Sequence, residues 1–187
     1  MRTLIRWCLL GTFLLSTASA RLGSMRIEDL VVYSDEIVLA KVTELLPTSG
    51  SERDLVYASA TVLETFKGSL SGTFLLRASP GGICDDSKAI KDETALFFLN
   101  RGDDGIYSIY FAGRGRMPLR EVDGKTYVSL WDEVMLPDRA PTIAGPDPRY
   151  SFINSVELDY LEALIRKNRD RKPVYSGAAD FISNDAQ

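Results

Sequence analysis

The pattern of apolar and polar residues consists mostly of short runs in which apolar side chains alternate with polar ones, as in half-buried β-strands. The predicted strands cover residues 36–46, 55–67, 73–78, 94–99, 106–111, 119–122 and 126–130. The second is long and rich in β-branched and aromatic residues, which predicts a bend or a bulge, and the fourth is apolar enough for a buried strand. Asp123-Gly124 is a typical hairpin turn between the last two strands. This succession predicts a small antiparallel β-barrel.

Two segments have the spacing of amphipathic helices. In the first, over residues 25–33, Ser24 is placed to cap the N-terminus. The second is predicted to start in residues 154–157, with Glu157 as a capping acid, and to run to about Asn168. Its apolar face consists of Val156, Tyr160, Leu161, Leu164 and Ile165. Such a face needs a barrel to pack against, so the predicted fold class is mainly β with flanking α-helices, one of them C-terminal.

The first twenty residues have the order of a secretory signal peptide. Arg2 and Arg6 precede an apolar stretch over residues 7–15, and small residues lead to a cleavage site after Ala20. The apolar stretch reaches only half of the ~20 residues that a transmembrane helix needs, which disfavours an uncleaved membrane anchor. We therefore predict a signal peptide (residues 1–20), a single domain (residues 21–170) and a loosely ordered tail (residues 171–187).

Composition limits the partners and the compartment of the mature chain. Because two arginines lie in the signal segment, the formal net charge of −4 becomes −6 after cleavage, and no basic run with interleaved aromatic residues appears outside residues 166–172. We therefore expect no nucleic-acid partner. Cys84 is the only remaining cysteine, so no internal disulfide is expected, and Asn-X-Ser/Thr acceptor sites are absent. These features favour a periplasmic or secreted bacterial protein without a membrane span.

The residues needed for common catalytic systems are missing from the sequence. The chain contains no histidine, which removes histidine general bases and histidine-containing zinc sites. The acids of segment 85–93 do not have the spacing of a calcium-binding loop. The glycines around Arg114 are too few for a phosphate-binding loop, and no Lys-Ser/Thr pair follows them. The sequence thus predicts a protein that is not an enzyme and has no cofactor and no metal.

One loop and one glycine-rich bend carry the candidate interaction residues. The loop, residues 79–93, contains Cys84, Asp85 and Asp86 and is too polar for a regular element. The neighbouring acids disfavour the thiolate of Cys84, so an inert cysteine is expected in preference to a reactive one. The bend adds two candidates for binding an anion or an acidic partner, Arg114 and Arg116.

Three segments of the chain have a familiar order. Residues 28–42 contain a helix and a strand, residues 61–68 are the end of a long strand with Lys67-Gly68, and residues 95–99 are an apolar strand. Together they resemble exported proteins of the tissue-inhibitor-of-metalloproteinases-like group, whose netrin-type module is an OB-fold barrel. The resemblance spans about residues 27–116 and implies an OB-fold-like barrel here. The inhibitors of that group chelate the protease zinc through an N-terminal cysteine. Arg21 stands at that position in this chain, so the resemblance does not imply zinc chelation.

Three functions are compatible with these observations. The first is an exported, non-catalytic binding or envelope-interaction module that meets another exported protein or a glycan through loop 79–93 and the two arginines. The second is a protease inhibitor that inserts the same loop into an enzyme cleft. The third is an enzyme that uses carboxylates or Cys84, although no catalytic motif supports it. The binding module is our leading hypothesis.

Overall fold

The computed structural model describes residues 23–47, 56–78, 86–144 and 154–173. Within these ranges the protein has two helices, α1 (Ile27–Tyr33) and α2 (Leu158–Asn168). The strands are β1 (Met25–Arg26), β2 (Glu36–Pro47), β3 (Val56–Lys67), β4 (Thr73–Arg77), β5 (Thr94–Arg101), β6 (Tyr107–Ile109), β7 (Arg116–Val122), β8 (Lys125–Leu130), β9 (Val134–Met135), β10 (Thr142–Ala144) and β11 (Asn154–Glu157). The chain is therefore mainly β, as the sequence predicts.

Strands β2 to β6 close into a five-stranded barrel. Strand β2 pairs with β3 and β5, β3 with β4, and β5 with β6, all in antiparallel fashion. The ring closes through a parallel pair, β4 with β6. This is the strand order of an OB-fold-like barrel, and the predicted fold class is confirmed. The parallel closure is possible because β5 lies between β4 and β6 in the chain, so no tight turn joins them.

Strand β3 is bent by two irregularities at which a residue has no partner in β2. These unpaired residues are Leu63 and Phe66. An extra residue interrupts the alternation of side chains and increases the local twist. Ala58 and Ala60 accordingly belong to the barrel interior, whereas Phe66 packs in the cluster that includes both helices. The bulge predicted for the second strand is confirmed.

Two hydrophobic cores lie on opposite sides of β2 and β5. Val38 and Phe97 belong to the core inside the barrel. Their chain neighbours Ile37, Leu96 and Phe98 belong to the core that includes the helices, and all five side chains are fully buried. Because successive residues of a strand point to opposite faces, a strand buried on both sides must be apolar throughout. This explains the continuous apolar run in β5.

The Lys67-Gly68 pair connects the end of β3 to the end of α1. Lys67 Nζ donates hydrogen bonds to three carbonyl oxygens at the helix end, those of Val31 (2.8 Å), Val32 (2.9 Å) and Ser34 (2.6 Å). Such acceptors have no partner within a helix. Burial lowers the pKa of the Lys67 ammonium. Gly68 has a φ of +83°, and a Cβ there would collide with the Glu36 carboxylate, so the position requires glycine.

The two predicted helix starts are wrong, and the reason is strand pairing in both cases. Helix α1 begins at Ile27 without a cap from Ser24, because Met25–Arg26 pairs with β9. Helix α2 begins at Leu158, because residues 154–157 form β11 and pair with β8. Pairing with a neighbouring strand satisfies the backbone groups of these residues in an extended conformation, so they do not join the helix.

Strands β7, β8, β11 and β10 extend the sheet beyond the barrel in that order. The predicted hairpin of β7 and β8 is present, and the positive φ values of Asp123 (51°) and Gly124 (76°) suit its two-residue turn. Strand β10 pairs with β11 in antiparallel fashion. Neither α1 nor α2, the helices of the described ranges, is long and apolar enough to cross a bilayer.

Candidate functional site

The five candidate interaction residues fall into two groups. Cys84 and Asp85 lie outside the described residues, as does the first part of loop 79–93. Asp86, Arg114 and Arg116 are described, and each takes part in an ion pair. The roles suggested for Cys84 and Asp85 therefore stay predictions, and the geometry that follows concerns the other three.

The described part of the loop, residues 86–93, is attached to the barrel at both of its ends. At one end the Asp86 N–H donates to the Ala112 carbonyl at 3.0 Å. At the other end the Asp92 N–H donates to the Val42 carbonyl and the Val42 N–H donates to the Glu93 carbonyl, both at 2.9 Å. These backbone bonds fix the Asp86 and Glu93 carboxylates relative to the barrel.

The glycine-rich bend approaches this loop at Gly113. Gly113 has a φ of +85°, and a Cβ on it would collide with the backbone of Asp86 and Ser87. Phe111 and Ala112 also have positive φ values, 54° and 47°, which residues other than glycine seldom adopt. The bend is thus shaped by close contact with the loop, and this contact brings Arg114 next to Asp86.

Arg114 is held between two carboxylates and an aromatic ring. Its Nη1 lies 3.4 Å from Asp86 Oδ2, and its Nη2 lies 3.4 Å from Glu133 Oε1. Nη1 also donates to the Ala112 carbonyl at 3.0 Å, and the guanidinium carbon lies 5.1 Å from the Trp131 ring centroid, a cation–π distance. The Arg114 side chain is 9% exposed, whereas those of Asp86 and Glu133 are 36% and 28% exposed. A buried cation therefore orients two carboxylates that solvent reaches.

Trp131 is fixed in turn by the strand beside it. Its indole N–H donates to the Arg116 carbonyl at 3.2 Å. The Val134 N–H donates to the Trp131 carbonyl at 3.0 Å and closes a turn that contains Asp132 and Glu133. The ring and the two acids are consequently positioned by backbone contacts of β7 and β9.

Arg116 forms a different kind of ion pair. Its Nη1 lies 2.9 Å from both carboxylate oxygens of Glu93, and both side chains are almost completely buried. Charge-assisted hydrogen bonds of this length are strong where water is excluded. Because the guanidinium is enclosed, an external anion does not reach it. The structure places Arg116 as a link between β7 and the loop rather than on a binding surface.

A groove of about 450 Å³ opens beside Trp131. Residues on its walls include Leu130, Trp131, Asp132, Val134, Met135 and Arg139. Asp132 is exposed and makes no ion pair with any residue in the described ranges, and Arg139 has a φ of +68°. The groove therefore combines apolar walls with charged residues at its edge.

Trp131 belongs both to the groove and to the Arg114 site, so the two form one continuous region. We call this region the Trp131 surface and define it by Asp86, Arg114, Trp131, Asp132, Glu133 and Met135. Lys88 lies at its border, 3.8 Å from Asp86, and Arg139 also lines the groove. Apolar contact area next to fixed polar groups is the usual composition of a binding site.

Sequence analysis found Asp86 and Arg114 but missed Trp131, Asp132 and Glu133. Their only sequence signal is a large aromatic residue followed by two acids at the end of a strand, which also describes an ordinary polar turn. The described part of the chain contains no group of three Cys, Asp or Glu side chains that could hold a metal ion. No family model matches the sequence, and the search among curated proteins finds no match. The functional argument therefore depends on the geometry of the Trp131 surface.

Proposed function

We infer that the protein is an exported, non-catalytic binding module whose Trp131 surface holds a segment of another exported protein. The segment carries an apolar side chain that enters the groove and a basic side chain that meets the carboxylates of Asp132 and Glu133. The binding module stays the leading function, and its contact region moves from loop 79–93 and the two arginines to the surface around Trp131.

The observation that carries the proposal is the arrangement around Arg114. The buried Arg114 side chain forms ion pairs with Asp86 and Glu133, while both carboxylates remain accessible to solvent. At 3.4 Å the contacts are longer than the usual charge-assisted hydrogen bond, so the carboxylate oxygens retain acceptor capacity for a second donor. Side chains already held in place lose little entropy on binding, which favours affinity.

The chemistry of the partner follows from the groove and its edge. Trp131 and Met135 are the residue types that are enriched at interface centres, and Met135 is 45% exposed. Asp132 has no cationic partner among the described residues and lies next to Glu133, so a lysine or arginine of the partner would complete the site. The acidic charge of the mature chain would also attract a basic partner over distance.

Export of the protein is supported by its N-terminal residues alone, and a partner that meets it after export must be in the same compartment. The order of Arg2, Arg6, the apolar stretch 7–15 and the small residues up to Ala20 is typical of a secretory signal. We therefore place the interaction in the periplasm or outside the cell.

Site-specific photo-cross-linking in the producing cells tests the proposal. A photoreactive amino acid replaces Met135 in one variant and Leu75 in another. Leu75 lies on β4, does not line the groove and is 43% exposed, so it matches Met135 in exposure. We expect a discrete protein adduct at Met135 only, with the attachment site in a segment that contains basic residues.

Charge-reversal variants distinguish a specific adduct from a non-specific one. Asp132→Lys and Glu133→Lys, each combined with the Met135 cross-linker, should reduce the adduct strongly, whereas Asp103→Lys in the distant 101–105 turn should not. Equal adducts at Met135 and Leu75 would contradict the proposal, and so would an adduct that is unaffected by Asp132→Lys. A glycan adduct at Met135 would replace the protein partner with a carbohydrate.

A further inference from the structure

A second cavity, separate from the groove, lies between the two helices. Its volume is about 420 Å³, which is within the range of small-molecule sites. Glu28 of α1 forms one side, and Tyr160, Leu164 and Lys167 of α2 are on the other, with Arg171 beyond the helix end. Apolar and charged side chains therefore share one cleft of ligand size that is open to solvent.

Glu28 carries the first observation that points to a ligand. Its Oε2 is buried and accepts no hydrogen bond from any residue in the described ranges. Its Oε1 has only a long contact, 3.4 Å, with Arg26 Nη2, and the Glu28 side chain is 16% exposed. Such a carboxylate has one buried oxygen without a donor and one long contact, so its charge is incompletely compensated and favours a cation at its exposed part.

The two cations of the cavity carry the second observation. Lys167 makes no ion pair with any residue that the structure describes, and the Arg171 Nη1 donates to Asn168 Oδ1 at 2.9 Å instead of to Glu28. Opposite charges thus line one cavity without neutralising each other directly. A ligand that carries both charges would satisfy Glu28 and the cations at once, whereas a simple amine would be repelled by Lys167 and Arg171.

We propose that this cavity binds a small zwitterion of the amino-acid class with an apolar side chain. Its ammonium group meets the exposed part of the Glu28 carboxylate, its carboxylate meets Lys167 and Arg171, and its side chain lies against Tyr160 and Leu164. A water molecule could satisfy Glu28 alone, but the cavity is many times larger than one water and has apolar walls. Pro137 lines both cavities, but none of the residues that define the Trp131 surface lines this one, so the two sites use different functional side chains.

Ligand-observed NMR and calorimetry on the mature protein test this assignment with three matched probes. L-Leucine carries both charges, 3-methylbutylamine lacks the carboxylate, and 4-methylpentanoate lacks the amine. We expect saturable binding of leucine. We expect each of the other probes to bind roughly tenfold more weakly, because each loses one charge-assisted interaction.

Two variants connect the binding to this cavity. Glu28→Gln removes the charge that holds the ammonium, and Ala163→Trp fills the cavity from the exposed side of α2. Both should abolish leucine binding while the far-UV circular dichroism stays unchanged. Glu64→Gln, on the exposed surface of β3, is the control and should bind leucine like the natural protein.

Three outcomes would overturn the proposal. The first is no binding of leucine, which would leave Glu28 satisfied by water only. The second is equal affinity for leucine and for 3-methylbutylamine, which would remove the role of Lys167 and Arg171. The third is leucine binding that survives both Glu28→Gln and Ala163→Trp. None of these outcomes bears on the cross-linking at Met135, so the two proposals fail separately.

Discussion

Arg114 and Arg116 are two residues apart, yet their surroundings differ in almost every physical respect. Arg116 Nη1 lies 2.9 Å from both oxygens of a single carboxylate, that of Glu93, and the pair is closed to water. Arg114 divides its guanidinium between Asp86 and Glu133 at 3.4 Å, and solvent reaches both acids. Arg114 lies in the glycine-rich bend, whereas Arg116 is the first residue of β7, and this change from bend to strand gives the two side chains different environments.

This difference teaches how one short segment can serve both stability and recognition. Arg116 and Glu93 are shielded from water and joined by short hydrogen bonds, so removing one of the two charges leaves the other buried. The Arg114 pair keeps water on its acids, so its contribution to stability is smaller, and its carboxylates remain available to another molecule. The predictions below run from the largest expected effect, at the Arg116 pair, to the smallest, at an exposed ion pair that belongs to neither site.

The largest effect is expected from Glu93→Gln. The substitution removes the carboxylate charge that lies 2.9 Å from the buried Arg116 guanidinium, and the free energy of unfolding should fall by about 3–5 kcal/mol. Denaturant unfolding measures the change, with Glu162→Gln as control, because Glu162 belongs to an exposed pair with Arg166 in α2. A loss no larger than that of the control would show that the Arg116 pair is not as closed as its geometry indicates.

A double substitution sharpens the same point. Replacing the pair by apolar residues, Glu93→Leu with Arg116→Met, removes both charges together and should recover most of the stability lost in Glu93→Gln, because no unpaired charge remains. The free energies of unfolding of Glu93→Leu, Arg116→Met and the double variant, measured with denaturant, give the coupling energy between the two residues. Strict additivity of the two single effects would contradict direct pairing.

A smaller effect is expected from Arg114→Lys. Lysine keeps the charge but loses the flat group that packs over Trp131 and contacts two carboxylates, so the free energy of unfolding should fall by about 1 kcal/mol. The indole resonance of Trp131 in an NMR spectrum should shift, since its ring loses a neighbour. An unchanged indole resonance would mean that the stacked arrangement is not populated in solution.

The smallest effect is expected at an exposed pair far from both sites, Arg77 with Asp104. The Ile106 N–H and then Arg77 lower the pKa of Asp104 below 3.8. A lowered carboxyl pKa stabilises the fold above pH 3.8, and this stabilisation is lost as the pH falls through the lowered value. In an NMR titration, Arg77→Met should raise the Asp104 pKa only part of the way, because the Ile106 hydrogen bond remains. A complete return to 3.8 would assign the shift to Arg77 alone.

Local pattern was enough to predict most of the barrel. Residues close together in sequence determine three features that the structure has. These are the alternation in β2, the length and bulging of β3 and the Asp123-Gly124 turn. Residues 154–157 were misassigned because an Asn-Ser-Val-Glu order suits a capped helix start just as well as a strand. Pairing with β8, which decides between the two, is not visible in local sequence.

The candidate site was less predictable, since its contacts join distant parts of the chain. Asp86 and Arg114 were found because acids and arginines stand out in a glycine-rich context. Glu133 reaches Arg114 only after the sheet is formed, and the burial of Arg116 depends on Glu93, 23 residues earlier. Sequence pattern predicts that an arginine is present in a bend, but not whether the fold encloses it.

The most direct test of the account is to measure stability and partner contact together in Arg114→Lys and Arg116→Lys. The two readouts are the free energy of unfolding and the yield of the Met135 cross-linked adduct under conditions in which both variants are folded. We predict that Arg114→Lys loses most of the adduct and little stability, and that Arg116→Lys loses stability and keeps the adduct. Parallel losses of both quantities in both variants would contradict the division between a structural and a binding arginine.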